Sequence, residues 1–173
     1  KIHFQKATDV DQNYVDAYFN LARILTSPSE HDQAVRNYET ALEINPEMAD
    51  CHYWFGKLLT TGERLSNDGT LLKEPKIDDA KKHFIRAIDI DPKFAKAYYR
   101  LGLLLYHNKD YSNALHNFEK AITLDPTFSK AHYSLAVLLM DKNAKELVQK
   151  GTQAEKKKKT RSVRKKTSGK ESS

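Results

Sequence analysis

Residues 93–126 read KFAKAYYRLGLLLYHNKDYSNALHNFEKAITLDP, and this stretch decides the fold. Its apolar and small side chains recur at i, i+3, i+4 and i+7, at Tyr98, Leu101, Gly102 and Leu105, and then at Ala114, Phe118 and Ala121. Each run predicts an amphipathic helix with one apolar stripe. Asp110 is suited to cap the second helix, and Pro126 ends it because proline disfavours helical geometry in the residue before it. Two helices back to back are therefore expected.

The same pattern recurs along the chain and predicts its organisation. Pro92 and Pro126 are 34 residues apart, whereas Pro46 and Pro92 are 46 apart. The twelve surplus residues fall within 60–76, where glycine, asparagine and proline predict a loop between two helices. We expect the end of a truncated preceding repeat (1–11), repeats at 12–46, 47–92 and 93–126, a terminal partial repeat (127–154) and a basic tail (155–173).

This spacing resembles the tetratricopeptide repeat. The motif Tyr98-x2-Leu101-Gly102-x2-Leu105, followed by Ala114-x3-Phe118 and Pro126, recurs from Tyr18 to Pro46 and from His52 to Pro92. The resemblance covers residues 1–154. Histidine takes the usual large aromatic position at His52 and His132, and Gln12 stands where proline is expected.

The resemblance implies an all-α solenoid of stacked antiparallel helix pairs, a right-handed superhelix whose concave surface is lined by the first helix of each repeat. Neighbouring repeats share one core because no repeat buries its apolar stripe alone. Small residues are expected where helices approach closely, at Ala22, Gly56, Gly102 and Ala136.

Composition limits the possible classes of protein. The sequence has 39% hydrophobic residues, enough for a core, and it contains no run of about 18 apolar residues that would predict a membrane span. Cys51 is the single cysteine, so no intramolecular disulfide is possible. The charge is uneven, because residues 1–154 carry a net charge of −1 and residues 155–173 carry +7. The body is neutral and the tail is basic.

The concave surface is the predicted site of function. Offsets from the core positions place aromatic and basic side chains on the non-core face of the first helices. The predicted partner-binding groove consists of Phe19, Arg23, Tyr53, Trp54, Lys57, Lys96, Tyr99, Arg100, Lys130 and Tyr133. Trp, Tyr and Arg most often dominate binding energy. The alternative is that the aromatic residues only pack against the next repeat.

Some members of the resembled family hold the C-terminal carboxylate of a chaperone through five polar residues. Lys96 and Arg100 match the Lys and Arg of the third inner helix. Phe19, Arg23 and Trp54 occupy the other three positions, so the carboxylate clamp is incomplete. An acidic or aromatic-containing peptide suits the groove better.

Catalysis finds little support in the sequence. The chain has no glycine-rich phosphate loop and no nucleophile elbow. Its seven histidines show no metal-like pairing at i, i+4 and are interpreted as packing or surface residues. We therefore predict no catalytic residue, no metal, no cofactor and no small-molecule substrate.

The tail is the second informative stretch. Its basic residues are Lys156, Lys157, Lys158, Lys159, Arg161, Arg164, Lys165 and Lys166, followed by Lys170. Such a run binds any polyanion, including nucleic acid, acidic lipid or an acidic protein tail such as that of tubulin. We expect a protein-interaction scaffold in a multiprotein assembly, located in the cytoplasm, at the cytoskeleton or cilium, with the nucleus as the alternative. The rival prediction is a polyanion-binding protein whose repeats only present the tail.

Overall fold

The computed structural model describes residues 1–61 and 76–141, which are all-α and contain no strand. Their eight helices are α1 (Ile2–Val10), α2 (Val15–Ile24), α3 (His31–Ile44), α4 (Ala49–Thr60), α5 (Ile77–Ile90), α6 (Ala95–His107), α7 (Tyr111–Leu124) and α8 (Ser129–Met140). A 3₁₀ turn, Pro28–Glu30, precedes α3. The all-α fold expected from the sequence is confirmed. No described helix has the length and apolar character needed to cross a membrane.

The helices fall in pairs inside the predicted repeats. The repeats at 12–46, 47–92 and 93–126 contain α2 with α3, α4 with α5, and α6 with α7. Most of the predicted loop at 60–76, the second half of the terminal repeat and the whole basic tail lie outside the described residues.

The described residues form two compact units, the first ending at Leu101 and the second beginning at Gly102. In the first unit α2 packs on α3, α3 on α4, and α4 on α5. The ring of Tyr38 from α3 stacks on Phe55 from α4, with centroids 5.4 Å apart and an interplanar angle of 19°. In the second unit α7 packs on α8, and the predicted stripe of α7 is buried at Ala114, Phe118 and Ala121. The helical periodicity therefore identified the interior faces of these helices.

Two glycines permit the close helix contacts that the sequence predicted. A Cβ atom on Gly56 would lie 3.0 Å from Cε1 of Phe84 and 3.2 Å from the carbonyl oxygen of Ala80. A Cβ atom on Gly102 would lie 2.7 Å from Cε1 of Phe118. Ala136 is exposed instead, and the helix predicted to pair with α8 lies outside the described residues.

Side chains as well as prolines form the turns between repeats. Asp11, Asn45, Asp91 and Asp125 each accept a hydrogen bond from the backbone N–H two residues later, at 2.9, 3.1, 2.9 and 3.0 Å respectively. The first of these turns therefore forms with Gln12 in place of proline, because the aspartate supplies the local bond. Asp110, the residue before α7, caps that helix as predicted. Its side chain accepts a hydrogen bond from the backbone N–H of Asn113 at 3.4 Å.

Candidate functional site

Three side chains meet at the predicted groove in the first unit. Trp54 on α4 is partly buried, and the Nζ atom of Lys57, one turn later on the same helix, lies 4.3 Å from the centroid of its ring. The guanidinium carbon of Arg23 on α2 lies 5.0 Å from the same ring. Cations at these distances are attracted by the negative face of an indole. We call Arg23, Trp54 and Lys57 the Trp54 cluster.

Two predicted groove residues support this cluster from the protein interior. Phe19 and Tyr53 are only 7% and 8% exposed. Arg23 lies 5.3 Å from the Phe19 ring, and Tyr53 contacts Trp54 edge-on with centroids 5.6 Å apart. Tyr53 also packs on Phe94 at 5.0 Å. Because little of either ring reaches solvent, their direct contact with a partner stays a prediction, and what the structure shows is packing.

The N-terminal part of α6 contributes a second group of predicted residues. Lys96 is exposed, whereas Tyr99 and Arg100 are partly buried. The Nε atom of Arg100 is buried and makes no hydrogen bond to any part of the chain that the structure describes. A buried donor without an acceptor costs about 1–3 kcal/mol.

The remaining predicted site residues lie on α8 or in the basic tail. Lys130 and Tyr133 lie in the second unit on α8, where Lys130 is exposed and Tyr133 is 73% exposed. The predicted polyanion-binding residues of the tail, 156–166, lie outside the described residues.

Sequence reasoning missed a histidine pair in the first unit. Nδ1 of His52 on α4 lies 2.9 Å from Nδ1 of His83 on α5. Burial lowers the pKa of His83 to about 4, and the neighbouring His52 adds to the effect. Burial also lowers the pKa of His52, although its hydrogen bond to the Pro46 carbonyl opposes the shift. The i, i+4 rule could not find two residues 31 positions apart on different helices.

Family models agree with the helix pairs. Models described as tetratricopeptide repeat match residues 15–48 and 95–128, which contain α2 with α3 and α6 with α7. The chain belongs to the tetratricopeptide repeat family. A model described as "Regulator of microtubule dynamics protein 1-3" matches residues 32–110. No curated protein matches the sequence.

Solved structures share the fold at low sequence identity. The chain is similar to MamA, with a TM-score of 0.64 at 20% identity, covering 91% of this chain and 87% of that one. It is similar to the first tetratricopeptide domain of Spaghetti (RPAP3), described as bound to the HSP90 peptide SRMEEVD, with a TM-score of 0.61 at 15% identity over 79% and 95% of the two chains. A third is YrrB, "a TPR protein with an unusual peptide-binding site", with a TM-score of 0.59 at 24% identity over 76% and 61%. These likenesses establish the tetratricopeptide fold.

Proposed function

We propose that this chain is a non-catalytic adaptor that binds an extended or helical segment of a partner protein at the Trp54 cluster, within a multiprotein assembly. The observation that carries the proposal is the partly buried Trp54 ring, with Arg23 at 5.0 Å and Lys57 at 4.3 Å from its centroid. A large ring beside two cations offers both apolar contact and charge to a ligand. Protein interaction is also the general role of tetratricopeptide repeats, and two of the similar structures are described as bound to a peptide and as having a peptide-binding site.

The chemistry of the site favours an acidic peptide with at least one aromatic residue. Arg23, Lys57, Lys96 and Arg100 place four positive charges on α2, α4 and α6 in the first unit. A carboxylate of the ligand can accept hydrogen bonds from the guanidinium of Arg100, which is partly buried. An aromatic side chain of the ligand can pack on the exposed part of Trp54.

Intrinsic fluorescence tests the proposal directly. Trp54 is the only tryptophan of the chain, so its emission reports events at the cluster alone. The probes are synthetic acidic peptides that each contain one Phe or Tyr, and matched peptides in which Lys replaces every Asp and Glu. We expect saturable changes in emission with the acidic peptides and none with the basic ones. Emission that no acidic peptide changes would place the binding surface elsewhere.

A second candidate function concerns the basic tail. The model for regulators of microtubule dynamics matches residues 32–110, and the tail carries a net charge of +7. Tubulin is a polyanion through its acidic C-terminal tails, so the tail of this chain would attach to microtubules by charge. Such binding weakens as salt is added, because exposed charges are screened. This candidate places the chain in the cytoplasm at the cytoskeleton or cilium.

Co-sedimentation with microtubules separates the two candidates. The full chain and a truncation after Ala154 are compared on intact microtubules and on microtubules whose acidic tails have been removed by subtilisin. Loss of sedimentation on truncation, on subtilisin treatment and in high salt supports the tail as the binding element. Sedimentation that survives truncation supports binding through the repeats.

A further inference from the structure

The histidine pair of the first unit is a head-on hydrogen bond between two helices. The Nδ1 atoms of His52 on α4 and His83 on α5 lie 2.9 Å apart, and the centroids of the two rings lie 5.2 Å apart. Both nitrogens therefore lie close to the line that joins the two rings, which is the linear approach that hydrogen bonds prefer. The pair thus links α4 to α5 through one directional contact.

The carbonyl group of Pro46 determines which of the two rings donates. Nε2 of His52 lies 3.0 Å from the Pro46 carbonyl oxygen, which can only accept a hydrogen bond. Neutral His52 therefore carries its proton on Nε2 and presents the lone pair of Nδ1 to His83. Nδ1 of His83 must then donate, so neutral His83 carries its proton on Nδ1 and leaves Nε2 unprotonated.

The two unprotonated nitrogens of the pair differ in what a further proton does. A proton that adds to Nε2 of His83 leaves the Nδ1–H group of that ring free to donate as before. A proton that adds to Nδ1 of His52 removes the acceptor and places two N–H groups head to head at 2.9 Å. One ring must then turn away. The hydrogen bond therefore survives protonation of His83 but not protonation of His52.

Burial keeps both rings neutral. His52 is only 9% exposed, and the ring of His83 packs on Phe55 with centroids 4.4 Å apart. Because burial disfavours the charged form, it lowers the pKa of both histidines, and the pKa of His83 falls to about 4. The pair is therefore uncharged at neutral pH.

Charged groups of both signs lie around the pair without reversing the effect of burial. The pair borders a cleft of about 620 Å³ between α3, α4 and α5. The charged residues that line this cleft or act on the pair are Glu39 and Glu43 on α3, Glu47 before α4, Lys76 before α5, and Asp79, Lys82 and Arg86 on α5. Asp79 favours protonation of His83, and Glu47 favours protonation of His52. Each carboxylate is ion-paired, Asp79 with Lys82 and Glu47 with Arg86, and these cations oppose protonation.

Neighbouring repeats of the same chain lack this pair. The position of His52 is occupied by Tyr18 and Tyr98 in the adjacent repeats, and that of His83 by Asn37 and Asn117. Both asparagines are buried, and each donates to a carbonyl oxygen of its own helix, at 2.7 and 2.8 Å. Two facing histidines thus distinguish one repeat from its neighbours.

We propose that the hydrogen bond between His52 and His83 is an acid-sensitive switch at the contact between α4 and α5. The bond forms while His52 is neutral, and it breaks when His52 takes up a proton on Nδ1. The cleft brings solvent to the edge of the pair, so protons can reach it without unfolding of the chain.

The sign of the pH dependence follows from the proton balance. In the unfolded chain both histidines take up protons near the ordinary pKa of about 6.5. In the folded chain burial delays this uptake, and the pKa of His83 falls to about 4. Between these pH values the unfolded state binds more protons than the folded state. The stabilising effect of the pair is therefore complete above pH 7 and is lost as the pH falls from about 6.5 toward 4.

Nuclear magnetic resonance of the full chain with ¹⁵N-labelled histidine tests the bond itself. At pH 7.5 we expect a scalar coupling between two ring nitrogens across the hydrogen bond, with one ring protonated on Nε2 and the other on Nδ1. The coupling should disappear as the pH is lowered, below the ordinary range of histidine. Neutral His83 protonated on Nε2, or a coupling that persists at pH 4, would overturn the proposal.

Urea denaturation at pH 7.5 and pH 5, followed by the fluorescence of Trp54 on α4, tests the effect on stability. His83→Asn and His52→Tyr introduce residues that the chain already carries at these positions in other repeats. His132→Tyr is the matched control, because His132 occupies the repeat position of His52 and makes the same 3.0 Å contact, with the Pro126 carbonyl, on α8.

We expect the unfolding equilibrium constant of the parent to rise between pH 7.5 and pH 5 by about tenfold more than that of His83→Asn or His52→Tyr. The other acid-sensitive groups are shared, so their effects cancel in this comparison. His132→Tyr should behave like the parent. Equal pH dependence of the parent and both pair variants would contradict the switch, and if a variant fails to fold, the nitrogen coupling in the unsubstituted chain decides.

Discussion

Gly102 shows how one missing carbon atom sets the distance between two helices. A Cβ atom there would lie 2.7 and 2.8 Å from Cε1 and Cδ1 of Phe118, and the Phe118 ring is only 1% exposed. Since the ring is enclosed, it cannot move away freely. Overpacking costs about 1–3 kcal/mol, and the better helix propensity of alanine returns about 1 kcal/mol.

We therefore expect Gly102→Ala to lower the free energy of unfolding by about 1 kcal/mol. Gly56→Ala is the matched comparison, because the nearest contact of its Cβ is longer, 3.0 Å to Cε1 of Phe84. Its loss should be smaller. Urea denaturation followed by circular dichroism measures both. A Gly102→Ala variant as stable as the parent would contradict the close approach.

Cys51 is a packing residue whose chemistry is suppressed by burial. Its side chain is fully buried, and burial raises the pKa of the thiol to about 12, with the nearby Asp50 adding to the effect. The thiolate is the reactive form of cysteine. We expect no reaction of the native protein with Ellman's reagent at pH 8 and one thiol per chain in guanidinium chloride. Native reactivity equal to that of free cysteine would show that α4 is not packed as described.

At the scale of one element, Asp110 fixes the start of α7. Its carboxylate accepts from the backbone N–H of Asn113, and the preceding Lys109 has a left-handed backbone with φ of 60°. Loss of an N-cap side chain costs about 1 kcal/mol. Asp110→Ala should lower the free energy of unfolding by about that amount, and Asp110→Asn, which keeps an acceptor, should lower it less. Equal losses for the two variants in urea denaturation would argue against capping.

The helices and their interior faces could be predicted because the same spacing of apolar residues recurs in each repeat. Ala114, Phe118 and Ala121 lie on one face by local spacing alone, and all three are buried. Proline predicts the turns between repeats. The structure shows in addition that an aspartate or asparagine side chain accepts a backbone hydrogen bond in each of these turns, including the one in which Gln12 replaces proline. Those bonds are local too, so the residue before each proline could have revealed them.

Contacts between helices were harder to predict, because they depend on how far each helix turns toward its neighbour. His52 and His83 belong to different helices, and only a comparison of equivalent positions across repeats would have brought them together. The same limit applies to the groove. Phe19, Tyr53 and Tyr133 share one position in the repeat, yet the first two are 7% and 8% exposed and Tyr133 is 73% exposed. Equivalent position did not predict equal exposure.

At the scale of the whole molecule, a neutral repeat body is joined in sequence to a strongly basic tail. Residues 1–154 carry a net charge of −1 and residues 155–173 carry +7. An acidic peptide at the Trp54 cluster combines apolar contact with a few charge contacts, so its affinity should fall less steeply with salt than that of a polyanion bound to the tail, which carries a net charge of +7. Salt dependence is therefore a property that assigns each partner to one of the two regions.

The most direct test of the central proposal is the affinity of Trp54→Ala for a fluorescein-labelled acidic peptide that contains one aromatic residue, measured by anisotropy. Tyr99→Ala is measured beside it, and Tyr133→Ala serves as an exposed aromatic control on α8. Circular dichroism melts establish that each variant stays folded. We expect Trp54→Ala to weaken binding by about 2 kcal/mol or more, with a smaller loss for Tyr99→Ala. Unchanged affinity in a folded Trp54→Ala variant would contradict the assignment of the groove.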